Sequence, residues 1–144
     1  MTMNPYLDQY QNNQIATAKP EQILILLYDG AIRFVYRAAA AIDANNAEQK
    51  NININKTVAI LSEFSATLDH TIGGQVAADL TALYNFMIRE LTVVNRTNDL
   101  NRLENVRSIL TELRDTWAQA VKMKPETNTT ENPAVGQSAG AAQQ

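Results

Sequence analysis

The chain has 144 residues, a net charge of −3 at pH 7, a pI near 5.1 and no cysteine. The acidic balance argues against a nucleic-acid binder, which needs a basic stripe, and against docking on anionic lipid; the missing cysteines exclude disulfide and thiolate chemistry and allow a reducing cytoplasm. A hydrophobic fraction of 45% with 19% charged residues is ordinary for a globular protein, and this length fits one domain with a sizeable core.

Residues 1–19, MTMNPYLDQYQNNQIATAK, have no basic start followed by an apolar run, so no signal peptide is expected. The segment is polar but carries Tyr6, Leu7, Tyr10 and Ile15, which equip it to dock on an apolar surface. A first helix is expected over about Pro20–Asp43. Pro20 suits the first helical position and Glu21 the positive helix end, whereas Lys19 offers no acceptor oxygen as an N-cap.

At 100° per residue, Leu24, Leu27, Tyr28, Ala31, Phe34, Val35, Ala38 and Ile42 share one broad apolar face of that helix. Ile25, Ile32 and Tyr36 form a second apolar strip, leaving a narrow polar one with Gln22, Asp29, Arg33 and Arg37. A helix that is apolar nearly all round needs cover on nearly all sides. Asp29, Arg33 and Arg37 make membrane insertion of this segment costly. Asp29 and Arg33, four residues apart, read as a surface ion pair. Gly30 in mid-helix costs about 1 kcal/mol against alanine and reads either as tolerated or as a point of close helix approach.

A second helix is expected over about Glu48–Asp69, with Ile54, Val58, Leu61, Ser65, Leu68 and Ile72 as its seam and Ser65 the polar gap. Asn45, Asn46, Asn51, Asn53 and Asn55 blur its start, because asparagine favours caps and turns. Gly73-Gly74 reads as a helix stop and turn. A third helix, about Gln75–Asn95, places Val76, Leu80, Leu83, Tyr84, Met87, Leu91 and Val94 inward, with Phe86 and Val93 as a smaller second strip. Asn98-Asp99 caps a fourth helix, about Leu100–Lys122, whose Leu103, Val106, Ile109, Leu110, Leu113, Trp117 and Val121 share one face opposite a polar one.

No stretch alternates with period two long enough for a strand, so the fold class is all-α: an antiparallel four-helix bundle over residues 20–124, with a short N-terminal fifth helix as an option within residues 1–19. Residues 125–144 carry no aromatic side chain and are expected to be a disordered tail.

Catalytic chemistry is scarce in this sequence. The one histidine, His70, has no partner motif and reads as a solvated helix-end residue or a satisfied cap. No cluster of His, Cys or carboxylates has metal-ligand spacing, so neither metal nor cofactor is expected. What remains is surplus apolar surface, and a groove between helices suits a partner helix. The candidate contact residues are Ile25, Tyr28, Ile32 and Tyr36 on the first helix and Phe86 and Val93 on the third. Tyr10 and Ile15 of the N-terminal segment complete the set.

The stretch Lys19-Pro20-Glu21-Gln22-Ile23, followed by Leu27-Tyr28-Asp29-Gly30-Ala31-Ile32-Arg33-Phe34, resembles the opening helix of the flagellin export chaperones (FliS). Leu68-Asp69, Gly73-Gly74, Asp79-Leu80, Leu83-Tyr84, Asn95, Asp99-Leu100, Val106, Leu110, Leu113-Arg114 and Trp117 continue the resemblance, which covers about Tyr10 to Trp117. Two features depart from it: Lys19 where the family usually has serine, and the asparagine-rich stretch after Asp43.

The resemblance implies a cytoplasmic helical bundle, not an enzyme. Such a bundle binds the disordered C-terminal segment of flagellin, prevents premature polymerisation and delivers it to the flagellar export gate. It also implies that the N-terminal segment, here with Tyr10 and Ile15, lies over part of the groove when no client is present. The alternative from the residues themselves is a self-associating bundle, a homodimer using the same strips as a structural or regulatory module.

Overall fold

The computed structural model describes residues 19–123. By internal packing the chain divides into two units, residues 1–114 and residues 115–144, each taken by itself. The described residues hold four helices: α1 (Pro20–Asp43), α2 (Ala47–Thr67), α3 (His70–Thr97) and α4 (Leu100–Met123).

Each helix boundary has a local cause. The Lys19 backbone N–H donates to Gln22 Oε1 at 3.2 Å, but the lysine side chain returns no acceptor, so α1 starts with half a capping box before Pro20. Asparagines resolve the next junction. Asn45 adopts φ 55°, and Asn46 Oδ1 accepts from the Gln49 N–H at 3.0 Å as the cap of α2. Asp69 Oδ1 accepts from the N–H groups of Thr71 and Ile72 at the start of α3. At the last junction Asn98 takes φ 61° after α3, while Asp99 Oδ1 accepts from the N–H groups of Asn101 and Arg102.

The first unit is an antiparallel bundle, and cross-helix pairs give its register. A Cβ built on Gly30 of α1 would lie 3.9 Å from Ile60 Cδ1 of α2, and Phe34 lies beside Lys56. Asn51 and Phe64 of α2 meet Asn95 and Tyr84 of α3 in reverse order. Tyr36 and Asp29 of α1 meet Arg107 and Arg114 of α4, also in reverse. Tyr28, Ala31, Val35 and Ala38 from α1, Ile54, Leu61 and Phe64 from α2, Tyr84, Met87, Leu91 and Val94 from α3, and Leu103, Val106 and Leu110 from α4 form the core. At its centre the Tyr28 ring centroid is 4.5 Å from that of Phe64, which is 5.4 Å from that of Tyr84. The Tyr28 and Tyr84 hydroxyls share a buried hydrogen bond of 2.7 Å. In the second unit the described residues, 115–123, are helical.

The packing corrects several expectations. The inner face of α2 runs through Asn53, Ile54, Thr57, Leu61 and Phe64, with Val58 and Ser65 only half-buried at its edge. Thr57 enters the core because its hydroxyl donates to the Asn53 carbonyl at 2.9 Å, which removes the cost of burying it. The Ser65 hydroxyl is buried without a hydrogen-bond partner. The helix stop falls at Leu68–Asp69, where Asp69 offers a cap, and not at the glycine pair. Consequently His70 opens α3 instead of closing α2, and Ile72 and Val76 stand exposed on α3 instead of lying in a seam.

The glycine pair sits inside α3 at a kink, where Gly74 has φ 52° and ψ −124°. That conformation is open to glycine and strained for any residue with a side chain. Gly30 is the opposite case: its helical backbone is ordinary, and an added Cβ would meet Arg33 Nη2 at 3.7 Å and Ile60 Cδ1 at 3.9 Å, normal contact distances. Gly30→Ala is therefore expected to stabilise the fold by about 1 kcal/mol through helix propensity alone. Gly74→Ala should destabilise it by about 1–3 kcal/mol. Urea unfolding followed by far-ultraviolet circular dichroism measures both, and a loss of stability in Gly30→Ala would mean that α2 tolerates no added volume there.

Candidate partner-binding surface

The second strip of α1 lies on the side of that helix turned toward α4. The Arg107 guanidinium sits 5.8 Å from the Tyr36 ring centroid, and two turns away Arg114 Nε donates to Asp29 Oδ1 at 2.8 Å. Asp29 is thus paired across the bundle with Arg114, on α4, and not with Arg33, one turn on in α1. These polar contacts border the strip. Ile32, between them, and Ile25, one turn before Asp29, are half-buried, and Tyr36 keeps 57% of its surface exposed.

The strip on α3 has the same character. Phe86 and Val93 are half-buried, and Glu90, between them on the helix, accepts from Arg102 Nη1 of α4 at 2.8 Å. α4 therefore lies between the two apolar strips, holding each through charged contacts at its rim while Leu103, Val106 and Leu110 enter the core. Its cations are themselves anchored. Arg107 Nε donates to both Glu104 oxygens, at 2.9 and 3.0 Å, and Nη1 donates to Thr111 Oγ1 at 3.2 Å. The hydrogen bond from Arg107 holds the Glu104 carboxyl below its usual range and raises Arg107 in turn.

Tyr28 is not a surface residue. It has no exposed area, because its ring stacks in the α1–α2–α3 core and its hydroxyl is bound to Tyr84. Tyr10 and Ile15 lie outside the described residues. Sequence reading missed the most exposed large apolar side chains of α3, Ile72 at 86% and Val76 at 65%, one turn apart and flanking the Gly74 kink. Both fit a periodic pattern that reads as core, and only the glycine pair between them hinted at a change of helix direction.

Among the described residues no group of three or more His, Cys, Asp or Glu side chains could hold a metal ion. His70 is exposed, with Nε2 3.4 Å from Thr81 Oγ1. A shallow pocket at the end of the bundle is lined by Ile42, Asn45, Asn46, Lys50 and Asn98 among others. Lys50 Nζ donates there to the Asn95 carbonyl and to Asn98 Oδ1, tying α2 to the end of α3. No described helix is long and apolar enough to cross a membrane.

The described residues thus form an all-α bundle with two half-covered apolar strips beside α4, the kind of surface on which a partner helix can pack. Comparison with known proteins gives the family. The model of the family described as flagellar protein FliS matches residues 2–124, and the chain belongs to that family. It is 37% identical over 119 residues to the flagellar secretion chaperone FliS of Bacillus subtilis, covering 83% of this chain and 87% of that one. It is 33% identical over 119 residues to the flagellar secretion chaperone FliS of Campylobacter jejuni, with 83% and 93% covered. In fold it matches a structure titled "Crystal structure of flagellar chaperone from bacteria" with a TM-score of 0.69 at 18% identity, covering 83% of this chain and all of that one. The relatives' names describe chaperones, not enzymes.

The Tyr28–Tyr84 pair generates a stability prediction. Tyr28→Phe takes from the buried Tyr84 hydroxyl its hydrogen-bond partner and should cost about 1–3 kcal/mol; Tyr28→Phe with Tyr84→Phe should recover part of that loss. Burial raises the Tyr84 phenol above its ordinary 10.0, and the bond to Tyr28 only partly offsets it. A raised folded value means that the contribution of Tyr84 is complete below the unfolded value and is lost as pH climbs through the higher folded one. Phenolate absorbance during alkaline titration should therefore show a late component that ionises together with unfolding, and that component should shrink in Tyr84→Phe.

Proposed function

We propose that this chain is a cytoplasmic chaperone for flagellin. In this reading it binds the disordered C-terminal segment of flagellin, keeps it from polymerising early and presents it to the flagellar export gate. Membership of the FliS family, with curated relatives named flagellar secretion chaperones, supports the general role. The observation that carries the finer reading is the pair of half-covered apolar strips beside α4: Ile25, Ile32 and Tyr36 on one side, Phe86 and Val93 on the other.

A client segment that turns helical on these strips spends about 2–5 kcal/mol on ordering. Apolar burial at roughly 25 cal/mol per Å² exceeds that cost when the segment runs along several helix turns. Tyr10 and Ile15 of the N-terminal segment belong to this proposal as side chains that cover the groove in the absence of a client.

Titration calorimetry with a peptide of the flagellin C-terminal segment tests it. Binding with a negative heat-capacity change is expected, and Ile32→Asp or Phe86→Asp should abolish it while circular dichroism stays helical. An absence of binding at high micromolar peptide would refute the client assignment. Sedimentation of the chain alone separates the competing homodimer: concentration-dependent dimerisation that the same two substitutions dissolve would assign the strips to self-association instead.

A further inference from the structure

The outer face shared by α1 and α2 carries a charge distribution unlike the rest of the chain. The protein has 12 lysines and arginines against 15 aspartates and glutamates. Yet between Gly30 and Ile42 on α1, and between Gln49 and Ser62 on α2, there is no carboxylate at all. Those two stretches contribute Arg33, Arg37, Lys50 and Lys56. Lys50 is engaged at the end of the bundle with Asn95 and Asn98.

Arg33, Arg37 and Lys56 are exposed, and among the described residues none of them has a carboxylate within ion-pair distance. The contrast with α4 is sharp, because Arg102, Arg107 and Arg114 all hold carboxylates there. The α1–α2 cations are nonetheless gathered. The Arg37 guanidinium lies 5.8 Å and the Lys56 ammonium 5.3 Å from the centroid of the half-buried Phe34 ring, and Arg33 is one turn before Arg37 on α1. The ring attracts both cations, so part of the ordering cost of binding is already met in the free protein.

This face is separate from the strips beside α4. On the helical wheel Arg33 and Arg37 lie outward of Asp29 and Tyr36, and Lys56 belongs to α2, the neighbour on the opposite side of α1 from α4.

We propose that the Arg33–Arg37–Lys56 face around Phe34 is a second docking surface, and that its occupant is an acidic peptide segment of a partner protein. Charge complementarity selects that occupant. Guanidinium and ammonium groups without an ion-pair partner, on turns whose nearest carboxylate on α1, Asp29, is already held by Arg114, attract a run of Asp and Glu, and the two arginines can each take a carboxylate through two donors. The half-buried Phe34 offers an apolar side chain of the same segment something to pack on, which distinguishes a peptide from a bare polyanion. The surface does not depend on the flagellin reading, since it uses none of the residues assigned to that client.

The test uses the full-length chain and a fluorescent synthetic peptide of alternating glutamate and leucine residues, measured by anisotropy. Saturable binding is expected at low salt, weakening by at least about tenfold near 0.5 M salt. Arg33→Glu with Arg37→Glu should weaken it by about tenfold or more, and Arg33→Gln with Arg37→Gln by less, while binding of the flagellin C-terminal peptide stays within about twofold. Circular dichroism reports whether the reversed variant remains helical; should it unfold, Lys56→Glu replaces it in the same measurement. No saturable binding, or binding that ignores these substitutions, would overturn the proposal. So would equal affinity for single-stranded DNA of matched charge, which would make the face a general anion attractor. A low-salt dimer that dissolves on charge reversal would assign the face to a second copy of the chain and overturn it as well.

Discussion

The bundle is organised around one buried aromatic contact. Tyr28, Phe64 and Tyr84 each come from a different helix, and their rings and the hydroxyl bond of 2.7 Å fix α1, α2 and α3 against one another. A hydrogen bond in that environment has geometric consequences beyond its modest net energy, because a displaced Tyr84 hydroxyl would stay buried and lose that bond. The helices therefore cannot slide past one another without breaking it, and the register seen at Gly30–Ile60 and Asn51–Asn95 follows. With three helices set, α4 lies along the remaining face.

That arrangement explains why the proposed binding surface lies at the borders of α4. Leu103, Val106 and Leu110 secure it in the core, but the contacts on either side of them are ion pairs to Asp29 and Glu90 and the stacking of Arg107 near Tyr36. Charged rims satisfy polar groups without sealing the apolar side chains beside them. Ile25, Ile32, Phe86 and Val93 are consequently half-covered: enough to keep the unpartnered chain from exposing a continuous greasy patch, and little enough to leave contact area for another helix. The exposed pair Ile72 and Val76 at the α3 kink adds apolar surface at a separate place on the bundle.

The α1–α2 face shows how one helix can serve different neighbours on different sides. α1 puts its broad face into the core, its second strip toward α4, and Arg33 and Arg37 outward next to Lys56. Its polar strip is narrow, so the few charges it carries are concentrated, and without carboxylates on the adjoining turns of α2 their field is not cancelled.

The sequence alone determined the four helices, their antiparallel order and most of the core, because a 3.6-residue apolar period and a side-chain cap such as Asp99 are local signals. It also carried the family resemblance, and it singled out the strips through Ile32 and Phe86. Only the tertiary structure decided which periodic residues were core. Tyr28, on the broad apolar face yet also a candidate contact residue, is core alone, with Tyr84, 56 positions away, bonded to its hydroxyl; Ile72 and Val76 moved outward because the helix restarted at His70 and kinked at Gly74. Asp29 took Arg114 over Arg33 for the same reason. A helical wheel records direction around one axis, whereas burial and ion pairing depend on what a distant segment brings to that side, and no local pattern contains that information.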